Sequence, residues 1–531
     1  MEHVDAIVVG AGHNGLVAAN VLADAGWSVL VLEAMPTPGG AVRSAEITAP
    51  GYLSDLCSAF YPLGYVSPAL RRLDLASYGL RWRRASASLA HVLPDDRVAV
   101  IEQDAARTAA GLEAFAPGDA QRWLDAVEQW ERVGPLLLDV LLGPFPPVRA
   151  GVRLLRGLHA TGAIRLLRRM LLPARRLSAE MFAGEGAQLL LAGCAAHTDL
   201  TPDEASSGVY GWLLAMLAQQ HGFPVVEGGA QRLTDALVRR LEARGGQVRY
   251  EAPAERVVLR GDRAVGVVAG RAVRAQRAVL ADVPAPQLYR DLVGLDRLPS
   301  KLAEDLANFV WDNATIKVDW ALSGPVPWSN STASRAGTVH IGADMNGLAE
   351  YGSDLNCGRI PRRPFILTGQ MTTADPSRSP TGTEVMWAYS HLPRRDSFTA
   401  DEIDEHAGRL QETIEKHAPG FGARAIARHV TGPEALAAEN PNLVGGAIAG
   451  GTAAPHQQLL LRPVPGLGRA DTPVDRLYLA SASAHPGGAV HGVAGENAAR
   501  AALARDRAVS GSLYRAGIAA AYRAVYREGN P

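Results

Sequence analysis

Lysine and cysteine are both scarce in this chain, and each scarcity narrows what it can do. Lysine occurs only at Lys301, Lys317 and Lys416; Lys+Arg of 53 against Asp+Glu of 54 leaves a formal net charge of −1. A nucleic-acid partner calls for a strongly basic face, and this balance argues against one. Cys57, Cys194 and Cys357 stand far apart and form no C-x-x-C. That spacing excludes a dithiol redox site, a cysteine-rich zinc cluster and a disulfide framework, and no metal site is expected. Three isolated thiols suit a reducing cytosol. No apolar run approaches the roughly 20 residues that a spanning helix needs. The chain opens directly on a core strand, so no signal peptide is expected. The expected protein is cytoplasmic, with at most peripheral contact with a membrane.

What is present is concentrated at the N-terminus. Asp5 to Val9 is an apolar run of strand length, and it ends in Gly10-Ala11-Gly12-His13-Asn14-Gly15. Leu16 to Gly26 reads as a helix, Ser28 to Leu32 as a second strand, and Glu33 follows. This is a βαβ unit with G-x-G-x-x-G at its first turn and an acid about 20 positions on. Gly10 permits the tight turn, Gly12 admits a pyrophosphate to the backbone, and Gly15 lets helix and strand pack closely. The helix N-terminus then faces the pyrophosphate with free N–H groups and the positive end of its dipole. Glu33 accepts from a ribose 2′-OH and disfavours a 2′-phosphate. An adenine dinucleotide is the implied ligand.

Gly39-Gly40-Ala41-Val42-Arg43-Ser44 comes next. A second glycine pair followed by arginine suits a flavin pyrophosphate neutralised by a cation. It resembles the G-G-x-R-[ST] extension of flavoproteins built like glutathione reductase and amine oxidases.

At 531 residues and 47% hydrophobic, the chain is long enough for two domains. Two later segments read as the missing parts of the nucleotide unit. The first holds Val225 to Leu233, a helix from Leu233 to Arg244, strands over Glu255–Leu259 and Ala264–Ala269, and a buried strand over Ala278–Asp282. The second holds a strand at Arg476–Ser481, the glycine loop His485–Gly495 and a helix from Glu496 to about Ala508. That second glycine loop lacks a Glu33 equivalent, so it is expected to complete the first site at the flavin end. No tightly held NAD(P) is supported. The expected organisation is a discontinuous dinucleotide-binding domain over 1–75, 225–290 and 441–531, with a substrate domain from 76–224 and 291–440.

Together these segments resemble the phytoene-desaturase-like FAD oxidoreductases, the branch beside carotenoid desaturases and isomerases. The resemblance rests on the N-terminal fingerprint, Val226-Glu227-Gly228-Gly229, Ala281-Asp282-Val283-Pro284, Asp375-Pro376-Ser377, and the stretch from Leu461-Arg462-Pro463 to His491-Gly492. It implies an α/β fold, a Rossmann-like FAD-binding domain of the glutathione-reductase and amine-oxidase type with an inserted α+β substrate domain. It carries FAD-binding positions onto Gly10, Gly12, Asn14, Gly15, Glu33, Ala34, Gly39, Gly40, Arg43, Val257, Gly488, Val490 and Val493. Two departures are visible. Ala480-Ser481-Ala482-Ser483 stands where amine oxidases of this fold carry a Gly-Glu pair, and His491 and Glu496 stand where relatives often have other residues.

The resemblance implies FAD lying extended, its isoalloxazine against the His485–Val493 loop, and a substrate C–H bond that gives up hydride while a neighbouring proton is lost. His485 and His491 are the acid/base candidates, since histidine titrates near neutrality; a turn-bonding role for His485 before Pro486 is the alternative. His340 and His391 are weaker candidates. The expected activity is that of a dehydrogenase or desaturase on a lipophilic, unsaturated small molecule. A flavin-dependent polyene isomerase and a non-enzymatic binder of a prenyl-like client are the alternatives. Between Arg149 and Arg176 eight arginines interleave with apolar residues, and no acid occurs between Asp139 and Glu180. Such a segment lies on an anionic membrane, lines a substrate entry, or packs as a lid helix with solvated arginines.

Overall fold

A computed structural model describes residues 2–527, apart from the side chains of residues 159–161. Two seven-stranded sheets organise it. In the first, five strands run parallel in the order Leu477–Leu479, Arg271–Ala281, Glu2–Val9, Val29–Leu32, Gln247–Arg249. The antiparallel ribbon Arg256–Arg260 and Arg263–Ala269 attaches to the first half of Arg271–Ala281. Residues 6–9 and 29–32 are buried on both faces, as expected for parallel strands covered on both sides.

The long strand Arg271–Ala281 begins seven residues before the expected Ala278. Its first half alternates exposed Arg271, Arg274 and Gln276 with buried Val273 and Ala275. This half-exposed pattern does not read as an apolar run, whereas Ala278 to Ala281, buried throughout, does. Helix His13–Asp24 packs on one side of the sheet beside Gln231–Glu242 and Val493–Asp506.

The second sheet has the order Ala425–Thr431, Ala314–Leu322, Glu384–Leu392, Ile366–Gln370, Ala336–Ile341, Ala87–Val92, Val98–Glu102. All its pairings are antiparallel except that of Ala336–Ile341 with Ala87–Val92. Helices Asp119–Leu141, Glu185–Ala195 and Ser207–His221 share a core with Leu89 and Ile101. Helix Ala400–His417 packs its Leu410 and Ile414 on the core of the Ala314–Leu322 strand.

The arginine-rich segment forms two helices, Val148–Leu171 and Ala174–Met181. Several of its arginines pair within the protein: Arg153 with Asp139, Arg168 and Arg176 with Glu180, Arg175 with Asp203. Arg169 lies over the Trp212 ring. Val148, Val152, Leu155, Ile164, Leu167 and Leu171 remain exposed. Among the described residues no helix is long and apolar enough to cross a membrane.

Candidate flavin site

The glycine loop leaves the N-terminal strand at Gly10, whose φ of +93° is a conformation glycine adopts at no steric cost. Helix His13–Asp24 starts with Gly12 as its cap. The loop fits so closely that side chains are excluded. A β-carbon on Gly15 would lie 2.2 Å from the Gly10 carbonyl oxygen, and one on Gly12 would lie 2.7 Å from Asp282 Oδ2. Glu33, at the end of the second strand, accepts from Ala11 N–H at 2.7 Å and from Met35 N–H at 2.9 Å. Each carboxylate oxygen keeps a lone pair for a further donor, so these bonds leave the acid free to take a ribose hydroxyl. Ala34, beside it, is exposed.

The second glycine pair meets the first. Gly39 N–H donates to the Ala11 carbonyl at 2.9 Å, and a β-carbon on Gly40 would stand 3.4 Å from Gly12 Cα. Arg43 donates to the Gly40 carbonyl at 3.0 Å and to the Glu439 carbonyl at 2.9 Å, with the Glu439 carboxylate 3.7 Å away. The guanidinium therefore reaches the loop already paired, an arrangement the sequence reading of a free cation did not include. Val257 pairs with Val267 and packs in the core that holds Leu30 and Leu32, behind Glu33.

The C-terminal glycine loop closes on the same place. Helix Val493–Asp506 starts three residues before the expected Glu496, because Gly492 at φ +70° provides its cap. A β-carbon on Gly495 would stand 1.9 Å from the Asn14 carbonyl, and one on Gly492 2.7 Å from Val17. The N-terminal turns of two helices thus lie side by side, and both dipoles favour an anion there. The Asn14 side-chain oxygen is buried with no hydrogen-bond partner among the described residues. Gly488 abuts Ala449, and the Val490 carbonyl sits where a β-carbon of Gly64 would come within 2.8 Å. Val493 is fully buried. Glu496 pairs with Arg72 and Arg500 and serves packing.

His485 and His491 both lie at this loop, but their expected titration near neutrality is corrected by their surroundings. Burial pushes His485 down to about 4; its ring meets backbone at Gly143 and Leu141 and stacks near Phe145 at 5.4 Å. Burial pushes His491 down to about 3, with His13 adding to the effect. Its Nδ1 accepts from Val493 N–H at 3.1 Å, which leaves the proton on Nε2, and the ring also faces the backbone of Gly487 and Gly488. Burial thus favours the neutral form of both rings. His340 and His391 are also buried in the second sheet; His340 Nε2 meets His197 Nε2 at 2.9 Å. Both stay neutral too, His391 being pushed down to about 4 by burial.

Two charged residues hold the site from outside the glycine loops: Asp312, which carries no motif in sequence, and Arg462 of the Leu461-Arg462-Pro463 stretch. Asp312 accepts from the N–H groups of Ile448, Ala449 and Gly451 at 2.7, 2.8 and 3.1 Å. Arg462 donates to the carbonyls of Ala449, Gly450, Thr452 and Ala482. Between them they fix the 448–452 loop against the glycine loop. From there an aromatic run crosses the interior. Phe60 lies 5.9 Å from Trp387 and 6.4 Å from Phe223, Trp387 stacks with Tyr389, and His197 meets Phe223. Cys57, Tyr389, Tyr210 and His197 keep some accessible surface although burial strongly perturbs each. Burial lifts the Cys57 thiol to about 11 and the Tyr210 phenol to about 12.

This fold and this site define a flavoprotein with a Rossmann-type FAD-binding fold. The model of the family of flavin-containing amine oxidoreductases matches residues 15–503, and the chain belongs to that family. Among similar proteins, the rat pyridine nucleotide-disulfide oxidoreductase domain-containing protein 2 is 26% identical over 541 residues, covering 93% of this chain and 92% of its own. Hydroxyneurosporene desaturase of Cereibacter sphaeroides is 27% identical over 523 residues, covering 94% and 97%. A solved oxidoreductase from Methanosarcina mazei superposes with a TM-score of 0.62 at 15% identity, covering 94% of this chain and 99% of its own. The chain is an FAD-dependent oxidoreductase, and phytoene and hydroxyneurosporene desaturases, at 24% and 27% identity, are among the proteins it is similar to. The cradle fits FAD: glycines where a β-carbon would collide, Glu33 at the ribose end, and two helix N-termini at the pyrophosphate. When bound, FAD supplies acceptance of a hydride equivalent; the chain's residues hold it, orient it and keep water away.

Proposed function

We propose that the chain oxidises a lipophilic, unsaturated small molecule as a dehydrogenase or desaturase. The observation that carries this reading is the aromatic run Phe60–Phe223–Trp387–Tyr389, whose Phe60 stands two residues after Ser58, the residue that bonds the Ala41 carbonyl of the second glycine loop. Such a surface offers a long apolar ligand contact area and few polar handles. Neutral His197 and the un-ionised Cys57 and Tyr210 add no charge to it. A relative that desaturates hydroxyneurosporene supports the same class of substrate.

In the same reading the helix Val148–Leu171 is where such a molecule enters from an anionic bilayer. Its exposed leucines and valines support this, as does the exposed pair Leu459 and Leu460, whose backbone lies beside Phe145 at the start of that helix.

The test is anaerobic titration of the FAD-loaded protein with a panel of polyenes and simpler alkenes. Flavin bleaching together with a product carrying one more double bond is expected. An isomerised product without net oxidation supports the isomerase reading instead. No bleaching with any apolar substrate, but bleaching with amines, overturns the proposal.

A further inference from the structure

The notch formed by Gly10, Gly12 and Gly15 is already occupied by an acid. Asp282 follows the strand Arg271–Ala281, and its Oδ2 accepts the Gly15 N–H at 2.8 Å. This is one of the N–H groups that the fingerprint turns toward a pyrophosphate. The backbone pins the residue in place: Asp282 N–H donates to Val9 at 2.7 Å, and its carbonyl accepts from Asn442 Nδ2 at 2.8 Å. Asp282 is 5% exposed, and among the described residues its Oδ1 has no hydrogen-bond partner. Its side chain thus stands between the helix N-terminus and the dinucleotide.

Among the described residues no cation pairs with it. The charged group that faces it is another acid, Glu33, from the neighbouring strand. His13, at the head of the packed helix, turns its ring to Ala489 backbone and is neutral, pushed down to about 4 by burial. From the 440–442 loop comes Asn442, and from the strand on the far side the backbone of Ala480, whose N–H donates to Ala281. Arg43 and Glu439 close on each other beside Gly40. An ionised carboxylate here would sit with Glu33 and a pyrophosphate in one desolvated notch, and like charges so placed cannot all persist.

We propose that Asp282 holds the FAD pyrophosphate as a carboxylic acid, its Oδ2 accepting from Gly15 while a proton on Oδ1 is given to a phosphate oxygen. FAD binding and protonation of Asp282 are then coupled, and a chain whose Asp282 is ionised takes up one proton from solvent as it binds. Burial pushes this carboxyl up to about 7, with Glu33 adding to the rise and the Gly15 N–H opposing it, which places the coupling near neutral pH.

The inference rests on FAD occupying the glycine loop, and the test separates the two. Apoprotein is titrated with FAD at pH 6 and pH 9, following flavin fluorescence. Proton uptake is measured calorimetrically at pH 8 in two buffers of different ionisation heat. Wild type is expected to bind about 100-fold more weakly at pH 9 than at pH 6, and to take up close to one proton at pH 8. Asp282→Asn keeps an acceptor for Gly15 and a donor for phosphate, so at pH 9 it is expected to match the pH 6 affinity of wild type within a few fold, without proton uptake. Equal wild-type affinities at both pH values without proton uptake overturn the proposal, and so does an unchanged pH dependence in D282N. Should D282N fail to fold, wild-type proton uptake alone decides. Absence of FAD binding at pH 6 by folded wild type overturns the cofactor assignment itself.

Discussion

Gly495 rests directly on Asn14, so that a β-carbon at 495 would lie 1.9 Å from the Asn14 carbonyl oxygen. This contact holds the two helix N-termini side by side, and the anion-binding geometry depends on it. Gly495→Ala is therefore expected to drive the helices apart, costing about 1–3 kcal/mol of stability as overpacking does. It should also release FAD. Thermal melting with and without added FAD checks both; a variant that melts like wild type and retains flavin would show that the contact is not structural.

Acid should unfold this protein more steeply than its net charge suggests. His13, His91, His391, His406 and His485 are pushed down to about 4, and His197 and His491 to about 3, in each case mainly by burial. In the unfolded chain each titrates near its ordinary 6.5. As pH falls below 6.5 the unfolded state takes protons that the native state refuses, so stability present above 6.5 is lost on the way down toward 4. Each group can remove up to about 2 kcal/mol between pH 7 and 5. Urea denaturation at pH 7, 6 and 5 is expected to show midpoints falling with increasing steepness, and a flat profile would contradict the burial of these rings.

For the same reason the pH–rate profile should carry no limb from His485 or His491. His485→Gln is expected to lower stability through its contacts near Phe145 and to leave the shape of the profile unchanged. A limb near pH 6.5 that vanishes in H485Q or H491Q would return acid/base chemistry to these residues.

The nucleotide half of the fold was legible because its signals are local. Strand, glycine loop, helix, strand and Glu33 follow one another within 33 residues, and each glycine has a steric reason that spacing alone conveys. The long strand was half hidden, since exposed Arg271 and Arg274 break the apolar run that marks Ala278 to Ala281. What was not legible is contact across the chain. Gly15 and Asp282 are 267 residues apart, and Asp312 meets the 448–452 loop from 136 to 139 residues away. Phe60, Phe223 and Trp387 belong to no motif, and only the packing of two loop residues on the strand Glu384–Leu392 brings them together. The histidines were visible as residue types, but the burial that keeps them neutral belongs to the fold.

Removing the aromatic run should separate substrate binding from cofactor binding. Phe60 touches both Phe223 and Trp387 and stands three residues from Cys57. Phe60→Ala deletes the ring that joins the run, and a large-to-small change of this kind costs roughly 3–5 kcal/mol in a closed core. Where a substrate contacts this run, part of that cost falls on ligand binding. F60A is therefore expected to retain FAD and its visible spectrum, to raise KM for an apolar substrate at least tenfold, and to change the rate of flavin bleaching at saturation much less. Steady-state kinetics alongside anaerobic bleaching measures both quantities. An unchanged KM with a collapsed bleaching rate would place Phe60 at the flavin and not along the substrate.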